Sequence, residues 1–208
     1  MKFVLFVEGH TEHGCLPSFL KQWLDTRLKQ RVGIQAVRFE GCKDFDKGVC
    51  KKAQLYLDGP RRHDIVAVIG LLDLYGPQIY PPHLTLVDDR YQWGVKHYES
   101  LAERDTFRMF FAVHEVEAWI LSQPEVLPHD VRRALPGQAA QPESVNFREP
   151  PAKLLDRLYK TATGKAYKKT TDGKELFRKL DPEVAAQQCP YLRSMLEEML
   201  RLAQAVGL

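Results

Sequence analysis

DIVAVIGLLDLYG, residues Asp64 to Gly76, decides the fold. Ile65 to Leu72 is too short for a buried helix of ordinary length and is rich in Val and Ile, so it predicts a strand covered on both faces, as in a parallel sheet. The run ends on a carboxylate, Asp73, followed by a turn. Ligands of open parallel sheets gather at the carboxyl ends of the strands, which makes Asp73 the residue to follow.

Two other stretches have the same form. KFVLFVEG delivers Glu8 after an apolar run, and FRMFFAVHEVEAW delivers Glu115 and Glu117 after another. If these strands are parallel neighbours, their carboxylates converge at one sheet edge. A hard divalent cation, magnesium or manganese, would make that much like charge tolerable. The donors are all oxygens, which is not zinc chemistry, and HEVEAW is not H-E-x-x-H because Ala118 stands where the second histidine would be. There is no phosphate-binding G-x-x-x-x-G-K-[ST] loop, no G-x-G-x-x-G turn and no G-x-S-x-G elbow.

Around the central strand the chain alternates. Lys2 to Val7 reads as a strand that leaves through Gly9 into a helix. Leu16, Phe19, Leu20, Trp23, Leu24 and Leu28 form one face of that helix, with Pro17 expected in its first turn. Ile34 to Phe39 is a second strand, and Phe45, Val49, Ala53, Tyr56 and Leu57 make a second helical face that Gly59-Pro60 stops. After the Pro81-Pro82 loop, Asp88 or Asp89 is expected to cap a helix reaching about Glu103, and Phe107 to Val113 is a fourth strand. In the next segment two phases are open. Extended, Glu115 and Glu117 share a face opposite His114 and Val116; helical, both acids lie in a first turn, favoured by the backbone dipole.

Strand, helix, strand, helix, strand implies right-handed crossovers in a largely parallel sheet flanked by helices, an α/β class. From Gln123 the texture changes to prolines and short polar pieces, so the boundary is placed there: residues 1–122 form the α/β metal-binding domain, and 123–208 a basic, mainly helical C-terminal appendage packed on it. Pro151 to Tyr159 is predicted helical, 164–173 a basic loop, and Pro190 to Val206 a last helix.

Between Pro151 and Leu180 nine Lys or Arg face three acids, although the net charge of the whole chain is only +3. Such a surface suits a polyanion, DNA or RNA. Lys153, Lys168 and Lys169 are candidates for stabilising charge on a phosphate. Arg157 and Lys160 join Lys168 and Lys169 as backbone contacts, and His10 is a further phosphate candidate. Cys15, Cys42, Cys50 and Cys189 form no C-x-x-C pair and read as free thiols of a reducing compartment. With no leader and no bilayer-length apolar run, a cytoplasmic protein without membrane contact is expected.

VEGHTE at Val7 to Glu12, LLDLYG at Leu71 to Gly76, HEVEAW at His114 to Trp119, PPAK at Pro150 to Lys153 and Cys189-Pro190 occur in that order. Together they resemble domain of unknown function family 4276, regarded as Toprim-like. The resemblance implies a metal-dependent domain related to those of topoisomerases, primases and overcoming-lysogenisation-defect nucleases. It also implies service in phage defence beside a separate ATPase of the ABC or AAA type. By the same resemblance Glu8 matches the Toprim glutamate, a general base or acid, and Asp73 the first aspartate of the D-x-D metal motif. Tyr75 stands at the second aspartate, so Glu115 or Glu117 would have to supply that oxygen. A metal-dependent nuclease using Glu8, Asp73, Glu115, Glu117 and Lys153 is the preferred reading. A non-catalytic nucleic-acid or partner-docking module, and a nucleotidyl-transfer or phosphohydrolase enzyme on a small nucleotide, remain open.

Overall fold

The computed structural model describes residues 1–144 and 149–208. Four strands, β1 (Lys2–Val7), β2 (Gly33–Arg38), β3 (Ile65–Asp73) and β4 (Phe107–Ala112), pair in the order β2-β1-β3-β4, every pair parallel. The alternation of side chains along β1 shows why two layers form. Phe3, Leu5 and Val7 enter one apolar cluster and Val4 and Phe6 the other, so the sheet is buried on both faces.

Helix α1 (His10–Asp25) covers the first face, and α2 (Cys42–Leu57) and α3 (Val87–Ala102) cover the second. Each buried Leu, Val or Ile of these faces contributes roughly 1.5–3 kcal/mol relative to an exposed one. Gly70 marks the tightest point of β3: a Cβ there would come within 2.7 Å of Met109 Sδ and 3.2 Å of the Phe45 ring. Only glycine lets α2 and β4 close on the strand at that level.

Residues beyond β4 return to the α1 face. Short α4 (Glu117–Leu121) and α5 (His129–Arg133) precede α6 (Pro151–Thr163), α7 (Lys174–Lys179), α8 (Pro182–Gln188) and α9 (Pro190–Ala205). Leu154, Leu158, Phe177, Leu192, Leu196 and Met199 join the same cluster as Leu5 and Ile69. Phe19 stacks on Trp119 at 5.8 Å, and Phe177 meets Trp119 edge-on at 6.4 Å, so α1, α4 and α7 share one aromatic seam. Glu143 reaches the start of α9 and accepts the backbone N–H groups of Tyr191 (3.0 Å) and Leu192 (3.4 Å), capping it from 48 residues away. Among the described residues no helix is long and apolar enough to cross a membrane.

Three local expectations change. Helix α1 begins at His10, so Pro17 lies inside it and not in the first turn. The carbonyl it leaves without a helical partner belongs to His13, which is exposed and open to water. Leu86 is the N-cap of α3, and Asp88 and Asp89 lie within its first turn, where the helix dipole favours them. The segment 164–173 is not loop throughout, because Lys169–Gly173 winds into a short π-helical turn that runs directly into α7.

Candidate metal centre

All four strands point the same way, so their carboxyl ends lie at one sheet edge, and the register sets the heights. Val7 pairs with Leu71 and Asp73 with Ala112, which brings Glu8, Asp73 and the segment after β4 side by side. Pairing continues past the strands: Leu74 N–H donates to Ala112 O (2.9 Å) and Tyr75 N–H to His114 O (3.1 Å).

HEVEAW turns into a helix that starts at Glu117, with Glu115 just ahead of it. The helical phase is therefore the one adopted, but the helix starts two residues later than the sequence suggested, which leaves Glu115 ahead of its first turn. Asp73 Oδ1 accepts the Val116 N–H at 3.0 Å, tying the end of β3 to this turn. The result is a convergence of Asp73, Glu115 and Glu117, whose nearest carboxylate oxygens all lie within 4.8 Å of one another.

Two more segments complete the site. At the start of α6 the Ala152 N–H donates to Glu115 Oε2 at 2.8 Å, an orphan helix-terminal donor used to aim a carboxylate. From the turn at 169–173 the Lys169 ammonium reaches Glu117 Oε2 at 3.1 Å and Glu115 Oε1 at 3.5 Å. Thr11, buried at the start of α1, donates its hydroxyl to Lys169 O at 3.0 Å and holds that turn in place.

Charge explains the protonation behaviour. Burial raises the pKa of Glu117 to about 7 against the pull of Lys169, and Glu115 and Glu12 add to the rise. Asp73 is pushed well up by the same cause, opposed by Lys169 and reinforced by Glu12, Glu117 and Glu115. Glu8 is also raised by burial, offset in part by the Cys42 N–H. Burial alone would lower Lys169, but Glu117, Asp73 and Glu115 outweigh it and hold the ammonium charged. His114, 2% exposed, is pushed down to about 4 by burial and by Arg90, so it stays neutral beside the acids.

The donor set fits a hard divalent cation. Glu8, Glu12, Asp73, Glu115 and Glu117 outnumber the Lys169 ammonium. Glu117 is wholly buried, and its Oε1 has no hydrogen-bond partner among the described residues. A buried carboxylate oxygen in that condition is what an oxygen-coordinated ion relieves.

Of the residues expected from the sequence, Asp73, Glu115, Glu117 and Lys169 are brought together. Glu8 stands beside them at the end of β1, outside the group of three. Lys153 and Lys168 are exposed, each one residue from a group that touches the site. Arg157 pairs with Glu149, Lys160 with Asp156, and His10 is the exposed first residue of α1. Tyr75 is 39% exposed. Sequence reasoning missed Glu12 and Thr11. The signal for Glu12 was present in VEGHTE, where Gly9 lies between the two glutamates. A Cβ at Gly9 would collide with the Glu12 carboxylate, so the glycine is what lets Glu12 fold back toward the site.

The model of the domain of unknown function DUF4276 matches residues 7–200, most of the chain and every residue of the site. The chain belongs to the DUF4276 family. No curated protein sequence matches it. Among solved structures this DUF4276 chain is similar to the C-terminal region of the Burkholderia pseudomallei OLD protein, at 18% identity and TM-score 0.50, covering 99% of this chain and 98% of that one. The C-terminal region of the Xanthomonas campestris pv. campestris OLD protein matches at 20% identity and TM-score 0.46, covering 99% and 95%. At such identities the likeness speaks of fold, and the fold of this DUF4276 chain is Toprim-like: a parallel four-stranded sheet flanked by helices.

Proposed function

We propose that this chain is a magnesium- or manganese-dependent nuclease that hydrolyses phosphodiesters of DNA or RNA. The observation that carries the reading is the convergence of Asp73, Glu115 and Glu117 at the carboxyl edge of the sheet with the Lys169 ammonium against two of them. A divalent ion held by Asp73, Glu115 and Glu117 would supply Lewis acidity toward a phosphate.

The remaining roles belong to the chain's own groups. The Lys169 ammonium offsets negative charge developing on the phosphoryl oxygens. Glu8, whose pKa burial raises, would take a proton from an attacking water or return one to the leaving oxygen. Ala152 N–H and Val116 N–H fix the orientations of Glu115 and Asp73. Lys153, Arg157, Lys160, Lys168 and His10 are the groups offered to the polynucleotide backbone, and their contribution would weaken steeply with salt. With the OLD-like fold, this makes the chain a nuclease effector acting in the cytoplasm against phage beside an ATPase.

Tyr75 favours a second reading. A tyrosine where a second aspartate would ligate removes one oxygen donor, which suits a module that docks nucleic acid or a partner without cutting.

Purified protein incubated with supercoiled plasmid and with a labelled single strand, in magnesium or manganese, decides between them when Asp73→Ala is run alongside. Metal-dependent cutting that disappears in the variant is expected. Metal binding with no cutting of either substrate would overturn the nuclease reading.

A further inference from the structure

Lys169 enters the acidic cluster from a turn that its own last residue closes. Gly173 N–H donates to Lys168 O at 3.2 Å, and the Asp172 carboxylate accepts the Lys168 N–H at 2.7 Å, so residues 168–173 are tied into one loop of backbone. Thr11 touches both ends of it. Its hydroxyl donates to Lys169 O at 3.0 Å, and its methyl carbon would lie 3.7 Å from a Cβ built on Gly173.

Gly173 is buried and has φ −57° and ψ −46°, right-handed helical values open to any residue. Glycine is disfavoured against alanine in that conformation, so the backbone gives no reason for it. The reason is space. A Cβ here would stand 2.7 Å from the Tyr167 hydroxyl oxygen, closer than a real side chain comes to its neighbours. Tyr167 has little room to retreat: it is buried, its ring packs on Tyr159 with centroids 5.5 Å apart, and its N–H donates to Asp156 of α6 at 3.2 Å. A side chain at 173 is therefore relieved by movement of the turn, and the turn carries Lys169.

We propose that Gly173 is a positioning residue for Lys169: presenting no side chain to Tyr167, it lets the turn seat deeply enough for the ammonium to reach Glu117 and Glu115. Those contacts are 3.1 and 3.5 Å, and the second is already at the limit of a hydrogen bond, so the seat tolerates little displacement. The consequence for catalysis rests on the nuclease reading above, since it is there that the Lys169 ammonium offsets charge on the phosphoryl oxygens.

Two readouts test this, one for the position of Lys169 and one for cleavage. Metal-free protein is labelled with acetic anhydride, and peptide mass spectrometry compares Lys169 with its exposed neighbour Lys168 in the same molecule. Gly173→Ala is expected to raise Lys169 labelling several-fold relative to Lys168 and to lower cleavage by about tenfold or more. Tyr167→Phe removes the colliding oxygen and leaves the ring carbon Cζ, 3.6 Å from the new methyl position, which is an ordinary contact. That hydroxyl has no hydrogen-bond partner among the described residues, so its removal breaks none of their bonds. In the double variant both readouts are therefore expected to return to the level of Tyr167→Phe alone, a reversal that general loosening of the region would not show. If Gly173→Ala is too unstable to purify, the double variant decides: Lys169 labelled as in Tyr167→Phe alone upholds the assignment, and Lys169 labelled freely overturns it. Labelling unmoved by Gly173→Ala, a rise that Tyr167→Phe does not reverse, or full cleavage with Lys169 freely labelled would also overturn it. Labelling that rises and is reversed, in a protein whose wild type cuts no polynucleotide, would uphold the placing of Lys169 by Gly173 and overturn the nuclease reading. Cleavage abolished by Asp73→Ala, with labelling indifferent to Gly173→Ala, would do the reverse.

Discussion

The Lys169 ammonium lies 3.1 Å from Glu117 Oε2, although 52 residues separate the two in sequence. Neither would sit where it does alone. Glu117 is wholly buried, and Lys169 is the cation that its carboxylate and those of Asp73 and Glu115 share. The site is thus partly neutralised by the protein itself, with a negative surplus left for a metal.

Replacing Lys169 by Met removes the charge and keeps the length of the stem. Cleavage should fall by on the order of 10²-fold, the usual cost of one stabilising donor at a developing anion. Manganese affinity, followed by electron paramagnetic resonance at pH 8.5, should hold or rise because a competing cation has gone. Unchanged cleavage would remove Lys169 from the mechanism.

Glu117 makes the metal-free protein pH-sensitive. Its folded pKa, about 7, is above its ordinary value of 4.5. A raised carboxyl pKa means that its stabilising effect is fully present below pH 4.5 and is lost as pH rises through 7, a loss on the order of 3 kcal/mol. Thermal melts without metal should show Tm falling across that window and magnesium restoring it at pH 8. Glu117→Gln should flatten the slope and weaken magnesium binding at least tenfold. A slope that survives in Glu117→Gln would assign it to another group.

Magnesium affinity should itself rise with pH up to about 7 and then level off, because the ion competes with the proton on Glu117. Titrations at pH 5.5, 7 and 8.5 check this. Equal affinities at the three values would place the ion elsewhere.

Glu143 tests the C-terminal packing independently of the metal. Its carboxylate accepts two N–H groups at the start of α9, so Glu143→Ala should cost about 1 kcal/mol, while Glu143→Gln, which keeps one acceptor, should cost less. Urea melts compare them, and equal stabilities would show that water replaces the cap.

Gly70→Ala puts a methyl group where Met109, Phe45 and Phe107 already meet. Overpacking there should cost about 1–3 kcal/mol, read as a lower Tm with metal affinity retained. A variant as stable as the wild type would mean that the Met109 thioether simply moves aside.

The sequence by itself determined the sheet and its acidic edge. Val- and Ile-rich runs of strand length, separated by amphipathic helices, leave few arrangements other than parallel strands, and parallel strands bring Glu8, Asp73 and the Glu115–Glu117 segment to one edge. The landmarks from VEGHTE to Cys189-Pro190 were enough to indicate the family. What the tertiary structure alone decided is which groups face that edge. Lys168 and Lys169 are indistinguishable locally, yet Lys168 is exposed while Lys169 turns inward, because Thr11, 158 residues away, fixes the Lys169 carbonyl. Lys153 stayed outside while its neighbour Ala152 entered through a backbone N–H, a donor that every residue except proline carries and no pattern can single out. The start of the helix after β4 was left open for a similar reason: Asp73 chooses it by accepting the Val116 N–H. Periodicity is a property of neighbours along the chain, whereas a site made of five segments is set by contacts between residues far apart in it.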